Sequence, residues 1–382
     1  MSYKFLKFVR FKSIMRGTQT IKTISLFSGA GGLDTGAISA GADVVWANDM
    51  MKEACETYRT NIGNHIVQGD INDHLDELRN FEDVDLVIGG PPCQGFSVAG
   101  KMDAHDKRSQ LIWSYAQVIS IIKPRAFIME NVKALGQIER WQNVRMSLLE
   151  RFKELGYSVN FIVLNASDFD VPQARERVFF IGFRGDPSVE PDLEKMISPY
   201  RHKSITVREA LSILDKAGTG NNASVCKAKI TLASNPILRK SPYAGMLFNG
   251  LGRPTKIDGY SATLPASMGG NKTPIIDENE LYNGEKPWIE SYHKMVCDDI
   301  SYASFKPAPS FLRRMTPAEA AILQTFPLEY RFCGSQSRVY TQIGNAVPCN
   351  LGKAVSNMVI DILVGKTSVK YNESEPQLFN SI

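Results

Sequence analysis

The sequence predicts an α/β fold: a parallel sheet covered by helices on both faces, with a smaller, loop-rich region inserted before the closing helices. Three observations point there. Short apolar runs alternate with helix-compatible segments from residue 23 to 184. Pro, Gly, Asn and Ser then rise, and long apolar runs vanish, up to residue 310. Helix signals return near residue 314. The expected organisation is a basic extension over 1–22, a first unit over 23–184, a second over 185–310, a return to the first over 311–365 and a polar tail over 366–382.

Taken in order, "TISLF", "DVVWAN", "HIVQGD", "VDLVIGG" and "AFIMEN" read as buried strands, and the stretches between the later ones are long enough for helices. "SVNFIVLNA" and "RVFFIGFR" read as two further strands that close the sheet near residue 184. In "RMTPAEAAILQTFP", Thr316, Pro317 and Glu319 form a capping box with proline at the first helical position, so a helix starts there. The last apolar segment, "NLGKAVSNMVIDIL", is expected to pack back on the first unit.

Composition limits the function classes. With 382 residues, 43% of them hydrophobic, the chain can bury one full core and a smaller second one. Lys and Arg number 44 against 40 Asp and Glu, and the net charge of +4 permits a nucleic-acid partner without arguing for one. No apolar run reaches the roughly 18 residues of a membrane span, so no membrane partner is expected. The 6 cysteines are scattered without a CxxC pair, which argues against a zinc site and a disulfide scaffold; no metal is expected, and reduced thiols imply the cytoplasm. The first twenty residues carry basic side chains and no acid. These charges interrupt the apolar stretch, so the segment reads as a basic extension rather than a targeting signal.

Ligands of such a sheet bind at the carboxyl ends of its strands. "FSGAGGLD" (27–34) follows the first strand, and its glycines permit a sharp turn and close backbone approach, although an ordinary strand-to-helix turn would read the same way. The spacing of Gly29, Gly31 and Gly32 is not the GxGxxG of NAD enzymes. Asp49 ends the second strand, where a carboxylate can accept from ribose hydroxyls. Asp70 ends the third, where one could accept from an exocyclic amine, with Phe27 or Met50 over the ring faces. One strand-end acid is usually a solvated cap; an ordered series of them fits an adenosine-type cofactor such as S-adenosylmethionine better than NAD.

The fourth and fifth strands carry chemistry to the same edge. Cys93 follows Pro91 and Pro92, and Glu130 follows Ile128 and Met129. A lone cysteine is most often an inert core residue, and a lone strand-end glutamate is most often a cap. Side by side they offer a thiol nucleophile and an acid whose burial would raise its pKa. Arg175 and Arg177, in "QARERVFF", either pair with Glu176 or present donors to a carbonyl. Cytosine matches this set. A thiolate adding at C6 makes C5 enamine-like and able to accept a methyl group, an acid at N3 promotes the addition, and Arg175 at O2 orients the ring.

With these residues assembled, the sequence resembles the DNA (cytosine-5)-methyltransferase family, through "FSGAGGLD", "GGPPCQGFS", "MENV", "QARERVFFIG", "RMTPAEAAILQTFP" and "QIGNAVP" in the family's order. The resemblance implies a Rossmann-like catalytic domain, S-adenosylmethionine as methyl donor, and a smaller target-recognition domain that holds double-stranded DNA in the cleft between them. It implies Cys93 as nucleophile on the turn made by Pro92, Glu130 as its N3 partner, and Arg175 with Arg177 in the base-binding set. It aligns Phe27, Ser28, Gly29, Gly31, Gly32, Leu33, Asp49, Met50, Asp70, Ile71, Leu111 and Asn345 with cofactor contacts. Many relatives have tryptophan where this chain has Met50, so adenine packing differs there. The target base is stacked and paired, and must be flipped out to react. Residues 94–110 are expected to form a lid, with Gln94, Ser97, Lys101 and Arg108 meeting DNA; Arg253 and Lys272 of the 243–277 segment are expected to meet phosphates or guanines.

The setting implied is a bacterial or phage modification enzyme, paired with a restriction nuclease or solitary, monomeric, and acting in the cytoplasm on nucleoid DNA. Two other readings share most of these features: a methyltransferase for cytosine in transfer RNA, which the long insertion disfavours, and a DNA-binding relative without catalysis, which the complete residue set disfavours.

Overall fold

The computed structural model describes residues 20–92 and 110–372. Its centre is a seven-stranded sheet of β1 (Ile21–Leu26), β2 (Ala42–Asp49), β3 (Ile66–Gln68), β4 (Leu86–Gly89), β5 (Ala126–Val132), β6 (Tyr157–Asn165) and β7 (Glu176–Arg184), in the order β3-β2-β1-β4-β5-β7-β6. Strands β1 to β5 pair in parallel, as expected. The sheet as a whole is mixed, because β7 runs antiparallel to both β5 and β6. The link from Asn165 to Glu176 is too short for the helical crossover that a parallel neighbour needs, so the strand must enter from the opposite end. This inversion puts the start of β7 beside the end of β5, with Arg177 opposite Val132 and Phe179 opposite Glu130.

Both faces of the sheet are covered, which explains why its strands are nearly continuous apolar runs. Along β5, Ala126 and Ile128 face one core while Phe127 and Met129 face the other. The first core is closed by α1 (Gly32–Ser39) and by the last helix, through Leu33, Ala37, Leu351, Val355 and Val359. The second is closed by α3 (Leu111–Ile122) and α4 (Gln142–Glu154), through Ile112, Tyr115, Ile119, Leu148 and Phe152. Helix α2 (Lys52–Asn61) covers β2 and β3 with Cys55 and Tyr58. The chain order reverses at β1, between β2 and β4, which opens a crevice at the carboxyl edge where loops diverge to either side.

Residues beyond β7 form short elements. Leu232–Ile237 pairs with Met246–Phe248, and Ile275–Asp277 pairs with Leu312–Arg314, over a small core that includes Phe248, Ile289 and Val296. Helix α5 (Pro317–Leu323) begins with the capping box read from sequence: Thr316 accepts from the Glu319 amide, and Glu319 accepts from the Thr316 amide. Helices α6 (Gln336–Asn345) and α7 (Cys349–Leu363) follow. A third core joins Val207, Leu211, Ile257 and Leu264 to Met315, Leu323, Tyr340 and Ile343, so the loop-rich region shares packing with α5 and α6.

Helices α1 and α7 meet backbone to backbone at Gly36. A Cβ there would fall on the Cys349 carbonyl and the Lys353 amide. Gly36→Ala should therefore lower unfolding free energy by about 1–3 kcal/mol through overpacking. Thermal or urea unfolding measures it; an unchanged midpoint would contradict this packing.

Candidate active site

The cofactor side is built from loops after β1, β2 and β3. Phe27 begins the first loop in a left-handed conformation, φ 54°, uncommon outside glycine and characteristic of constrained sites. The three glycines that follow do different things. A side chain at Gly29, φ 55°, would meet nothing within 4 Å, so this backbone faces open space. Gly31, φ 82°, is closed in by Ile62 and Tyr330, and Gly32 by the Val347 carbonyl, so both serve protein packing. Ser28 turns its hydroxyl inward to Ser25, 2.9 Å, and Leu33 is buried in the first core.

Asp49 stitches two of these loops together. Its Oδ2 accepts from the Gly29 amide at 2.8 Å and its Oδ1 from the Met51 amide at 2.8 Å; burial pushes its pKa up, against the pull of these bonds. Each oxygen keeps a lone pair for a further donor. Met50 stands beside it, 61% exposed. Asp70 caps the turn after β3 by accepting from the Asn72 amide and side chain, both at 2.9 Å on Oδ1. Ser114 of α3 in turn donates to Asn72 at 2.9 Å, which ties this turn to the helix that starts at Leu111. Asn72 and Ser114 had no signal in the sequence. Ile71 is buried in the second core, while Asn345 is exposed at the end of α6. An open glycine backbone, carboxylates with spare lone pairs and an exposed apolar side chain suit a nucleoside with its ribose hydroxyls and exocyclic amine.

The chemical side lies across the crevice, at the ends of β4 and β5. Cys93 falls outside the described residues, which stop at Pro92 on this side. The turn that precedes it is held from below, where buried Asn131 donates to the Pro91 carbonyl at 3.1 Å. Asn131 is the partner that sequence reading missed, although it sits inside "MENV". Its neighbour Glu130 is 8% exposed, and its Oε1 pairs with Nε of Arg177 at 2.9 Å. Burial raises the Glu130 pKa; Arg177 and then Arg175 oppose this.

The two arginines separate in role. Arg175, expected at a ring carbonyl, is 1% exposed, and its guanidinium donates to the carbonyls of Leu264, Gly344 and Ala346 at 3.1, 3.0 and 3.0 Å. Arg177 is the one brought to Glu130. Glu176 pairs with Lys133 at 2.8 Å, so the simple surface pairing of these arginines with Glu176 is not seen. Of the residues expected at DNA, Arg253 and Lys272 are exposed; Gln94, Ser97, Lys101, Arg108 and all but the last residue of the expected lid lie outside the described residues. Among the described residues no group of three or more His, Cys, Asp and Glu could hold a metal ion.

The family model for C-5 cytosine-specific DNA methylases matches residues 21–361. The type II methyltransferase M1.HphI of Haemophilus parahaemolyticus is 32% identical over 349 residues, covering 88% of this chain and 86% of that protein. The type II methyltransferase M.FnuDI of Fusobacterium nucleatum is 30% identical over 364 residues, covering 94% and 100%. In fold, the chain is similar to the S. pombe Dnmt2 methyltransferase, with a TM-score of 0.63 at 21% identity, covering 91% of this chain and 98% of that one.

Beneath the glycine loop, Asp34 is fully buried and accepts from the Tyr58 hydroxyl at 2.9 Å; Tyr58 also meets His65 at 3.1 Å. Desolvation pushes the Asp34 pKa up to about 6, against bonds from Ser25 and Tyr58. A raised folded pKa means that this group's stabilisation is full below the unfolded value, about 4, and is lost as pH rises through 6. Asp34→Asn keeps an acceptor for Tyr58 and removes the titration. The variant should gain on the parent between pH 4 and 6, by up to about 3 kcal/mol above that window. Melting curves across pH test this; parallel curves would contradict it.

Proposed function

The chain belongs to the C-5 cytosine-specific DNA methylase family, and from that premise we propose that it moves a methyl group from S-adenosylmethionine to C5 of a cytosine flipped out of duplex DNA, through a covalent bond between Cys93 and C6. The enzyme is a DNA (cytosine-5-)-methyltransferase of the restriction-modification type. The observation that carries the finer reading is the Glu130–Arg177 pair at the sheet edge, beside the anchored Pro91–Pro92 turn that leads directly into Cys93.

On this reading the loops after β1 to β3 hold the cofactor. Asp49 would accept from the ribose hydroxyls, Asp70 would accept from the adenine amine, Phe27 and Met50 would cover the ring, and the open Gly29 backbone would admit it. Ile71, Leu111 and Asn345 complete the walls, with Leu33 supporting from the core. S-adenosylmethionine held there supplies an electrophilic methyl group. Across the crevice, the Cys93 thiolate adds to C6. Glu130, whose protonated form is favoured by burial, donates a hydrogen bond to N3 and makes C6 more electrophilic. C5 becomes nucleophilic and takes the methyl group; loss of the C5 proton then expels the Cys93 thiolate and restores the ring. Arg177, rather than Arg175, is the donor to O2, because it stands beside Glu130 while Arg175 is engaged with backbone carbonyls.

The base must leave the stack to reach this pocket, at a cost of a few kcal/mol in stacking and pairing. We assign residues 23–184 to the catalytic unit, 311–365 to its return and 185–310 to target recognition, with Arg253 and Lys272 as contacts from that region and Gln94, Ser97, Lys101 and Arg108 as contacts from the segment after Cys93. The reading carries a monomer acting on DNA in the bacterial cytoplasm. The type II relatives favour duplex DNA over transfer RNA as substrate.

Expression in a host lacking cytosine-5 methylation, followed by bisulfite sequencing, should reveal protected cytosines in one sequence context; no protection would contradict the proposal. Glu130→Gln should lower kcat about 10²–10⁴-fold. Because the Glu130 pKa is raised, kcat should also fall as pH climbs through it, since the proton needed at N3 is lost. A Glu130→Gln enzyme as fast as the parent would remove this residue from the chemistry.

A further inference from the structure

Gln173 and Arg175 hold one residue of the loop-rich region by both of its backbone groups. The Leu264 amide donates to Gln173 Oε1 at 3.0 Å, and Arg175 donates to the Leu264 carbonyl at 3.1 Å. The flanking backbone is paired as well: Ser261 and Ala262 align with Gln173 and Ala174, and the Thr263 hydroxyl donates to the Ala174 carbonyl at 3.0 Å. The same two side chains also reach the end of α6. Gln173 donates to Gln324 Oε1 at 3.2 Å, and Gln324 donates to the Ile343 carbonyl at 2.6 Å. Arg175 binds the Gly344 and Ala346 carbonyls, on either side of exposed Asn345. Contact between the two segments is direct, because a Cβ at Gly344 would lie 2.6 Å from the Ala266 backbone.

Gln173, Arg175 and Gln324 are each at most 1% exposed. A buried guanidinium carries a desolvation cost of several kcal/mol, and an apolar side chain of similar volume is often at least as good for stability. The arrangement is better suited to fixing geometry than to supporting the core. It ties the 261–266 segment to residues 343–346, with Arg177, two residues after Arg175, at the start of β7.

We propose that Gln173 and Arg175 are positioning residues that couple DNA engagement by the 261–266 segment to cofactor binding at Asn345. The inference rests on the function proposed above, in which the loop-rich region meets DNA and Asn345 lines the cofactor site. Coupling of this kind is reciprocal: DNA tightens the cofactor by the same factor as the cofactor tightens DNA.

The test measures S-adenosylhomocysteine binding by the full-length enzyme, alone and with a duplex that the wild type methylates. The wild type should bind about 5-fold or more tighter with DNA. In Arg175→Lys and Gln173→Ala the two affinities should become nearly equal, with Arg125→Lys, which lies just before β5 and pairs with Asp85, retaining the wild-type ratio as a comparator. A wild-type ratio in folded Arg175→Lys and Gln173→Ala, or no tightening in the wild type, overturns the coupling. So does failure of both variants to fold, since the cluster would then be only a folding element. A wild type that methylates no DNA defeats the proposed function instead.

Discussion

A buried acid held against a cation at the meeting of two antiparallel strands is the constraint on which the rest of this structure depends. Glu130 lies near the end of β5 and Arg177 near the start of β7, and the inversion of β7 brings their side chains together two register positions apart. Either charge alone would be unfavourable at that depth, and removing one partner of such a pair typically destabilises by several kcal/mol. The surroundings set the balance. Burial favours the neutral acid while two guanidiniums favour the carboxylate, and the raised pKa indicates that burial prevails. On the proposed reading, the protonated form that burial favours is the one that would donate to a ring nitrogen.

The neighbouring parts are arranged to keep this edge still. Asn131 fastens the proline turn from beneath, Asp49 fastens the glycine loop to the start of α2, and Asn72 bridges Asp70 to α3. In the first two cases a side chain at a strand end bonds to a loop from another strand, and in the third a loop is tied to a helix. The crevice walls are therefore fixed by short polar links as well as by the packing of Gly31, Gly32, Leu33 and Ile71, which is how reactive groups are held within hydrogen-bond reach of a ligand.

Much of this was legible in sequence because periodicity, glycine position and strand-end acids are local signals. The parallel strands, the capping box at Thr316, the glycine-rich turn after β1 and the placing of Glu130 at the edge all follow from nearby residues. What was not legible depends on contacts far apart in the chain. Nothing local in "QARER" distinguishes Arg175 from Arg177; two residues apart on a regular strand they would share a face, and they divide because Arg175 falls in the break between Gln173–Ala174 and β7, so that one reaches the 264 and 344–346 carbonyls and the other Glu130. Likewise, Gly31 and Gly32 looked like ligand-contact glycines until Ile62, Tyr330 and the Val347 carbonyl were seen against them. The inversion of β7 was readable in principle from the short link after Asn165, but not from its apolar pattern, which a buried parallel strand shares.

The central claim is that Cys93, delivered by the anchored proline turn, bonds to C6 of a cytosine. It is tested most directly by incubating the enzyme and S-adenosylmethionine with duplex DNA carrying 5-fluorocytosine at the methylated position. Fluorine cannot leave as a cation, so the adduct should persist through denaturation, and the DNA-linked peptide should map to Cys93. A trapped peptide containing a different nucleophile, or efficient methylation by Cys93→Ser with no trapped species, would contradict the account.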